Sequence, residues 1–188
     1  MANTTFETHS YWLYGDSGTG KSTLCGKLAK RGLAEGESYF RHTSGDYQWW
    51  NGYAGQKVIV MEELRRNKLK TAGGLAQFLV FLDKYPIPLP VKGGFTTRHY
   101  DRVFINTAQS PVDFFTYKTN DGDIVDESIA QLIRRLDKIY ELQLVSIPLD
   151  SGDYDNRVVL VDHTDELKKL YCKKLVNVTY LDADNIAL

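Results

Sequence analysis

Tyr11-Trp12-Leu13-Tyr14-Gly15-Asp16-Ser17-Gly18-Thr19-Gly20-Lys21-Ser22-Thr23-Leu24 decides the fold. Its first four residues are an aromatic and apolar run of strand character, and Leu24 and Leu28 then recur at helical spacing over Ser22–Lys30. Between them, Gly15–Ser22 fits Gly-x4-Gly-Lys-Ser/Thr in full. Strand, glycine loop and helix in that order form a phosphate loop. The glycines let successive backbone N–H groups turn around a phosphate, Lys21 reaches the β and γ oxygens, and the Ser22 hydroxyl ligates magnesium. Gly15–Thr23 is therefore expected to bind ATP and Mg2+.

Outward from the loop, strands and helices alternate. Val58–Met61 is a short β-branched run that stops at Glu62-Glu63, and Val103–Asn106 is a third core strand. Gly74–Lys84 reads as a helix stopped by Pro86, Pro88 and Pro90. Val91-Lys92-Gly93-Gly94-Phe95 reads as a tight hairpin. Over Ser128–Ile139, residues Ile129, Leu132, Ile133, Leu136 and Ile139 share one helical face. Strands at Tyr140–Ile147 and Val158–Val161 and a helix at Asp165–Leu175 follow, with Thr119–Asp123 as a surface loop. The pattern predicts an α/β P-loop nucleoside triphosphatase, with a central, mostly parallel sheet flanked by helices.

Composition narrows the function. With 188 residues, 43% hydrophobic and 25% charged, the chain suits one globular domain and holds no apolar run of membrane-spanning length. The N-terminus lacks signal-peptide character, and Cys25 and Cys172 suit packing in a reducing compartment, cytosol or nucleus. A net charge of -1 leaves nucleic-acid contact to a local patch.

Hydrolysis needs a carboxylate near magnesium and a group that aligns water. Glu62 is expected to hold the metal with Ser22, and Glu63 to polarise the water. The alternative is a solvated helix start with Arg65 and Arg66. Asn106 ends its strand at the same sheet edge and can reach the γ-phosphate or the water, or else cap the turn at Gln109-Ser110-Pro111. His42, His99 and His163 lack metal-ligand spacing and are expected at the surface or hydrogen-bonded. Tyr171-Cys172-Lys173-Lys174 imitates a nucleophile motif but sits in an amphipathic helix without a paired-histidine partner.

Four features in order, Gly15–Ser22, Val58–Leu64, Val91–Gly94 and Arg102–Pro111, resemble the superfamily 3 helicase domain, AAA+-like, of replication-initiator (Rep) proteins of circular single-stranded DNA viruses. Trp49-Trp50-Asn51-Gly52-Tyr53-Ala54-Gly55 looks like the Trp-Trp-Asp-Gly-Tyr-x-Gly segment of circovirus-like members. The resemblance covers roughly residues 11–145. It implies an ATP-dependent DNA helicase motor that moves on single-stranded DNA, a hexameric ring and a place in the host nucleus. Glu62-Glu63 take the place of the paired Walker B acids. Lys92, with Gly93 and Gly94, takes that of the DNA-binding hairpin, where the residues alone suggest a turn lysine. Arg134 and Arg135 look like the pair from which an arginine finger reaches a neighbour's γ-phosphate, or form the solvated side of their helix.

Two departures stand out. The family's third strand ends in Thr-Ser-Asn, whereas here the sensor position falls on Ala108, leaving Asn106 or Gln109 to replace it. Only 14 residues precede Gly15, so the expected organisation is a 1–147 motor core and a 148–188 C-terminal extension on the same domain, with no N-terminal nicking nuclease. Without the usual oligomerisation segment, the chain alone can be monomeric. The rival activities are a small nucleotide kinase, which Asp101-Arg102 faintly suggests, and a degenerate nucleic-acid-binding ATPase, RNA-directed in one form.

Overall fold

The computed structural model describes residues 7–43, 47–70, 74–118, 124–126 and 129–172. The elements are β1 (His9–Gly15), α1 (Lys21–Lys30), β2 (Phe40–His42), β3 (Val58–Met61), α2 (Gly74–Phe81), β4 (Pro88–Val91), β5 (Gly94–Thr97), β6 (Arg102–Thr107), α3 (Pro111–Phe115), β7 (Thr116–Lys118), β8 (Ile124–Asp126), α4 (Ile129–Arg135), β9 (Lys138–Pro148), β10 (Tyr154–Asp162) and α5 (Thr164–Tyr171). Six strands form one sheet in the order β10-β9-β1-β6-β3-β2. All neighbours run parallel except β10, which returns antiparallel to β9. Two short ribbons, β4–β5 and β7–β8, stand apart from it.

Continuous apolar strands follow from covering both faces of this sheet. Side chains alternate, so Trp12, Ile59, Met61, Val103, Ile105 and Ile139 fall into one core cluster, packed by residues of α2, α3, α4 and α5. Leu13, Val58, Val60, Phe104 and Leu142 face the other way, onto Cys25 and Ala29 of α1. The result is a sheet between two helical layers. The parallel connections leave the carboxyl ends of β1, β6 and β3 at one edge, where ligands of such sheets bind.

Several expectations are corrected. The helix expected to reach Ile139 ends at Arg135, and Ile139 lies on β9 although all five apolar residues are buried. The turn comes from Asp137, whose carboxylate accepts from the Ser10 N–H at 2.7 Å while its own N–H donates to the Ser10 carbonyl at 2.7 Å. These bonds divert the chain into the sheet. Pro88 and Pro90 end no helix but sit in β4, within a two-strand ribbon where missing N–H groups are tolerated. His42 is not at the surface: it lies buried among aromatic rings, 4.5 Å from the Trp50 centroid and 5.2 Å from that of Tyr47. Tyr171 packs partly buried against the larger core, as a helix residue does. Thr119–Asp123 and the stretch of the last helix beyond Cys172 lie outside the described residues. No helix among the described residues is long and apolar enough to cross a membrane.

β9 continues past Gly15, its last partner on β1, and with β10 forms an arm whose Leu144, Val158 and Leu160 are exposed. At the opposite end of β10, His163 Nε2 lies 2.7 Å from Glu141 Oε2 and its Nδ1 lies 3.3 Å from Glu166 Oε2, tying α5 to β9. The hydrogen bond from His163 holds the Glu141 carboxyl below its ordinary 4.5. Burial opposes charge on His163, but Glu141 and Glu166 outweigh it and raise the imidazole above 6.5. A raised pKa stabilises the fold fully below 6.5 and loses that contribution as pH climbs through the folded value; the lowered carboxyl loses its contribution as pH falls below 4.5. The stability lost in His163→Gln, read from denaturant midpoints, is therefore expected to be greatest near pH 6 and to shrink by about pH 9.

Candidate nucleotide site

The loop that leaves β1 is shaped by what surrounds it. A Cβ on Gly15 (φ 144°) would lie 2.3 Å from the Leu142 carbonyl oxygen of β9, so glycine is required where the adjacent strand passes. Gly20, in left-handed conformation (φ 81°), forms the N-cap of α1 and directs the helix start at the loop. Thr19, buried, donates its hydroxyl to the Asp16 carbonyl at 2.8 Å. Lys21 turns its ammonium back to the same carbonyl at 2.5 Å. Burial lowers the Lys21 pKa, and the charges of Asp16 and Glu63 partly offset that. Burial also pushes the thiol of Cys25, one turn further on, up to about 12, which makes it a packing group rather than a nucleophile.

Asn106 joins three elements at this edge. Its side-chain amide donates to Ser22 Oγ at 2.7 Å and to Glu62 Oε2 at 2.9 Å. A carboxylate only accepts, so the NH2 group must face Glu62. The hydroxyl at the start of α1 and the carboxylate at the end of β3 thus converge on one buried nitrogen. Asn106 caps no turn; Ser110 does, accepting from the Asp113 N–H at 3.1 Å. The alternative of a solvated helix at Glu62 fails as well. The Glu62 side chain is 10% exposed, its Oε1 lies 3.3 Å from the Arg41 guanidinium, and its backbone carbonyl accepts from the Tyr47 hydroxyl.

Glu63 follows with φ 47°, a conformation a non-glycine residue holds at a cost of about 1–2 kcal/mol. The kink exposes Glu63 on the Lys21 side while Glu62 turns inward. The Gln109 main-chain carbonyl accepts from Trp12 Nε1 at 2.9 Å, which fixes the backbone there and leaves its side-chain amide uncommitted by that bond, and Ala108 is exposed. Sequence reasoning missed Arg41 and Tyr47. Arg41 lies on a three-residue strand that is too short for a period to register, and neither residue belongs to a motif.

A metal bound with nucleotide phosphates takes few protein oxygens, one hydroxyl and one carboxylate sufficing beside phosphate and water. Ser22 and Glu62 fit that donor set. Among the described residues no three His, Cys, Asp or Glu side chains converge as a self-sufficient metal cage.

The hairpin and the arginine pair are carried by other elements. Lys92 and Gly93 form the β4–β5 turn, with φ 94° at Gly93, and Lys92 and Gly94 are exposed. Asn51 Oδ1 accepts from the Lys92 N–H at 2.8 Å, and the Pro90 carbonyl accepts from the Trp50 N–H at 2.8 Å. The Trp49–Gly55 segment therefore braces the hairpin near its tip. At its root Arg98 is fully buried; it donates to the carbonyls of Asp83 at 2.5 Å, Tyr85 at 3.2 Å and Tyr100 at 3.3 Å, with its guanidinium 4.3 Å from the Tyr100 ring centroid.

Arg134 and Arg135 line a cleft of ≈ 210 Å³ with Asp83, Lys84, Asp137 and Lys168. The cleft lies beside Thr8, at the amino end of β1, about 20 Å from the phosphate loop for a strand of this length. Arg135 is tied down by Asp83 at 3.0 Å and the Gln131 carbonyl at 2.8 Å, whereas Arg134 is exposed. Asp101 and Arg102 also lie at the amino ends of strands, bonded to Lys57 and Arg31, and form no acceptor pocket at the loop.

Comparison with known proteins adds a family. A family model described as RNA helicase matches residues 11–107, just over half of the 188 residues. The chain is 27% identical over 112 residues to the replication-associated protein of canary circovirus, 28% to that of beak and feather disease virus and 29% to that of goose circovirus. These alignments cover 58% of this chain and 33% of each relative, so the chain spans about a third of the length of the curated relatives it matches.

The two loop glycines predict different costs. Gly15→Ala meets a backbone carbonyl and is expected to destabilise by about 2–4 kcal/mol, from overpacking and an unfavourable φ together. Gly18→Ala has open space and only its φ of 85° to oppose it, so about 1 kcal/mol is expected. Denaturant unfolding of the two variants checks the difference.

Proposed function

Because the chain belongs to the RNA helicase family, of the superfamily 3 type whose motifs it carries, we propose that it is an ATP-driven motor of viral replication initiation, hydrolysing ATP with Mg2+ to move along single-stranded DNA. The observation that carries this reading is the meeting of Ser22 and Glu62 on Asn106 at the mouth of the phosphate loop. A bound nucleotide exchanges the Asp16 carbonyl for phosphate oxygens as the partner of Lys21. The N–H groups of Gly15–Thr23 hold the remaining charge. Ser22 and Glu62 would hold magnesium, which supplies further neutralisation of the β- and γ-phosphates.

Glu63, free of the contacts that lock Glu62, aligns the attacking water and takes up its proton. Asn106 positions Ser22 and Glu62 instead of touching phosphate, since its two amide protons are already used. Arg134, not Arg135, is the free guanidinium. At about 20 Å from its own loop it serves a neighbouring subunit's γ-phosphate, which is why the motor works as a ring, a hexamer by the resemblance. Residues 1–147 would form the motor and 148–188 its extension, and Lys92, Gly93 and Gly94 contact the nucleic-acid backbone.

Three variants test the catalytic assignments by ATP turnover. Lys21→Ala is expected to fall below about a tenth of wild-type hydrolysis, because the transition state loses its fixed positive charge. More activity than that would remove the loop from catalysis. Glu63→Gln is expected to retain nucleotide binding and to slow hydrolysis by about two to four powers of ten. If Glu62→Gln alone stops turnover while magnesium-dependent binding survives, the two acids exchange roles.

A further inference from the structure

Phe95 is 74% exposed, the most exposed of the large hydrophobic side chains among the described residues, and it sits one residue beyond the Lys92-Gly93-Gly94 tip. Its position follows from the ribbon register. Leu89 pairs with Thr96 and is fully buried, so the neighbouring pair, Pro90 and Phe95, faces away from the core. A phenyl ring held outward on a braced hairpin is no displaced core residue. The Asn51 and Trp50 bonds fix the tip, and buried Arg98 fixes the root.

The stretch between the two aspartates that flank the hairpin carries one sign of charge. Between Asp83 and Asp101 the sequence holds no carboxylate but includes Lys84, Lys92, Arg98 and His99. At the root, Tyr85 is 54% exposed with the Lys84 ammonium 5.7 Å from its ring centroid. The ribbon thus offers an aromatic ring with a lysine at each end. Single-stranded nucleic acid is bound by this combination, with cations on the backbone and aromatic faces under the bases.

We propose that the Phe95 ring is a stacking platform for a base of the single strand whose backbone Lys92 contacts. This rests on the reading of the hairpin as the nucleic-acid element. Stacking accepts any base, so the contact grips without fixing sequence, as a strand moving past the hairpin requires. The two residues then differ in physical signature, because phosphate contacts release counterions and ring stacking does not.

The test titrates a labelled single-stranded DNA oligonucleotide against the full chain, with a non-hydrolysable ATP analogue, over a range of salt concentrations. Phe95→Ala and Phe95→Leu are expected to lower affinity roughly 5- to 100-fold at an unchanged salt slope, and Phe95→Trp to retain it. Lys92→Ala is expected to lower affinity and to flatten the slope by about 0.7 for each phosphate left without its lysine. On an oligonucleotide abasic at every position, Phe95→Ala should bind like wild type. The unfolding midpoint of Phe95→Ala should match wild type, as the ring lies largely in solvent. Wild-type affinity in Phe95→Ala or Phe95→Leu, with Lys92→Ala impaired, overturns the stacking platform and leaves the hairpin reading standing. Unchanged affinity in both Phe95→Ala and Lys92→Ala overturns the hairpin reading and the platform with it. A loss in Phe95→Ala that persists on the abasic strand, or that tracks a change in sedimentation, assigns the ring to a subunit contact and overturns the proposal.

Discussion

The amide of Asn106, shared between the Ser22 hydroxyl and the Glu62 carboxylate, is the contact on which the site depends. A buried amide donor left without an acceptor costs about 1–3 kcal/mol, so the amide and its acceptors hold one another in place. The sheet order makes the contact available. β6 runs between β1 and β3, and its last residues reach both the loop that follows one and the acids that follow the other. Arg41 and Tyr47 then complete the hold on Glu62 from β2 and from the segment after it. The adjacent Glu63, which has a left-handed backbone, is exposed.

The rest of the chain carries two further groups, the hairpin and the arginine cleft. The hairpin is braced at its tip by the Trp50-Asn51 segment and at its root by Arg98, whose carbonyl partners include Asp83. Asp83 also binds Arg135 through its carboxylate, so the hairpin root and the arginine cleft share a residue. Arg135 and Asp83 fix the geometry of the cleft while Arg134 stays exposed beside it.

Much of this was legible in the sequence, for identifiable reasons. β1, β3 and β6 were readable because a parallel strand covered on both faces is an unbroken apolar run ending in polar residues. The phosphate loop was readable because its chemistry constrains residue types at fixed spacing. The end of α4 was not, since Ile139 continues the helical period across a turn that only the Asp137–Ser10 bonds impose. The ion pair between Arg135 and Asp83 was not legible either, since the two lie far apart in sequence. The reason for Gly15 lies in a carbonyl of β9, and the surroundings of His42 in rings drawn from Tyr47 and Trp50. Asn106 was placed at the correct edge, but the commitment of its amide to Ser22 and Glu62 is a fact of packing.

The most direct test is a double-mutant cycle on ATP turnover with Asn106→Ala and Glu62→Gln. If Asn106 acts by holding Glu62 and Ser22 in place, removing it after Glu62 is already disabled should cost little. The cycle should then show a coupling of about 1–3 kcal/mol. Costs that simply add, to within about 0.5 kcal/mol, would mean that the two residues serve the reaction independently and would contradict the account.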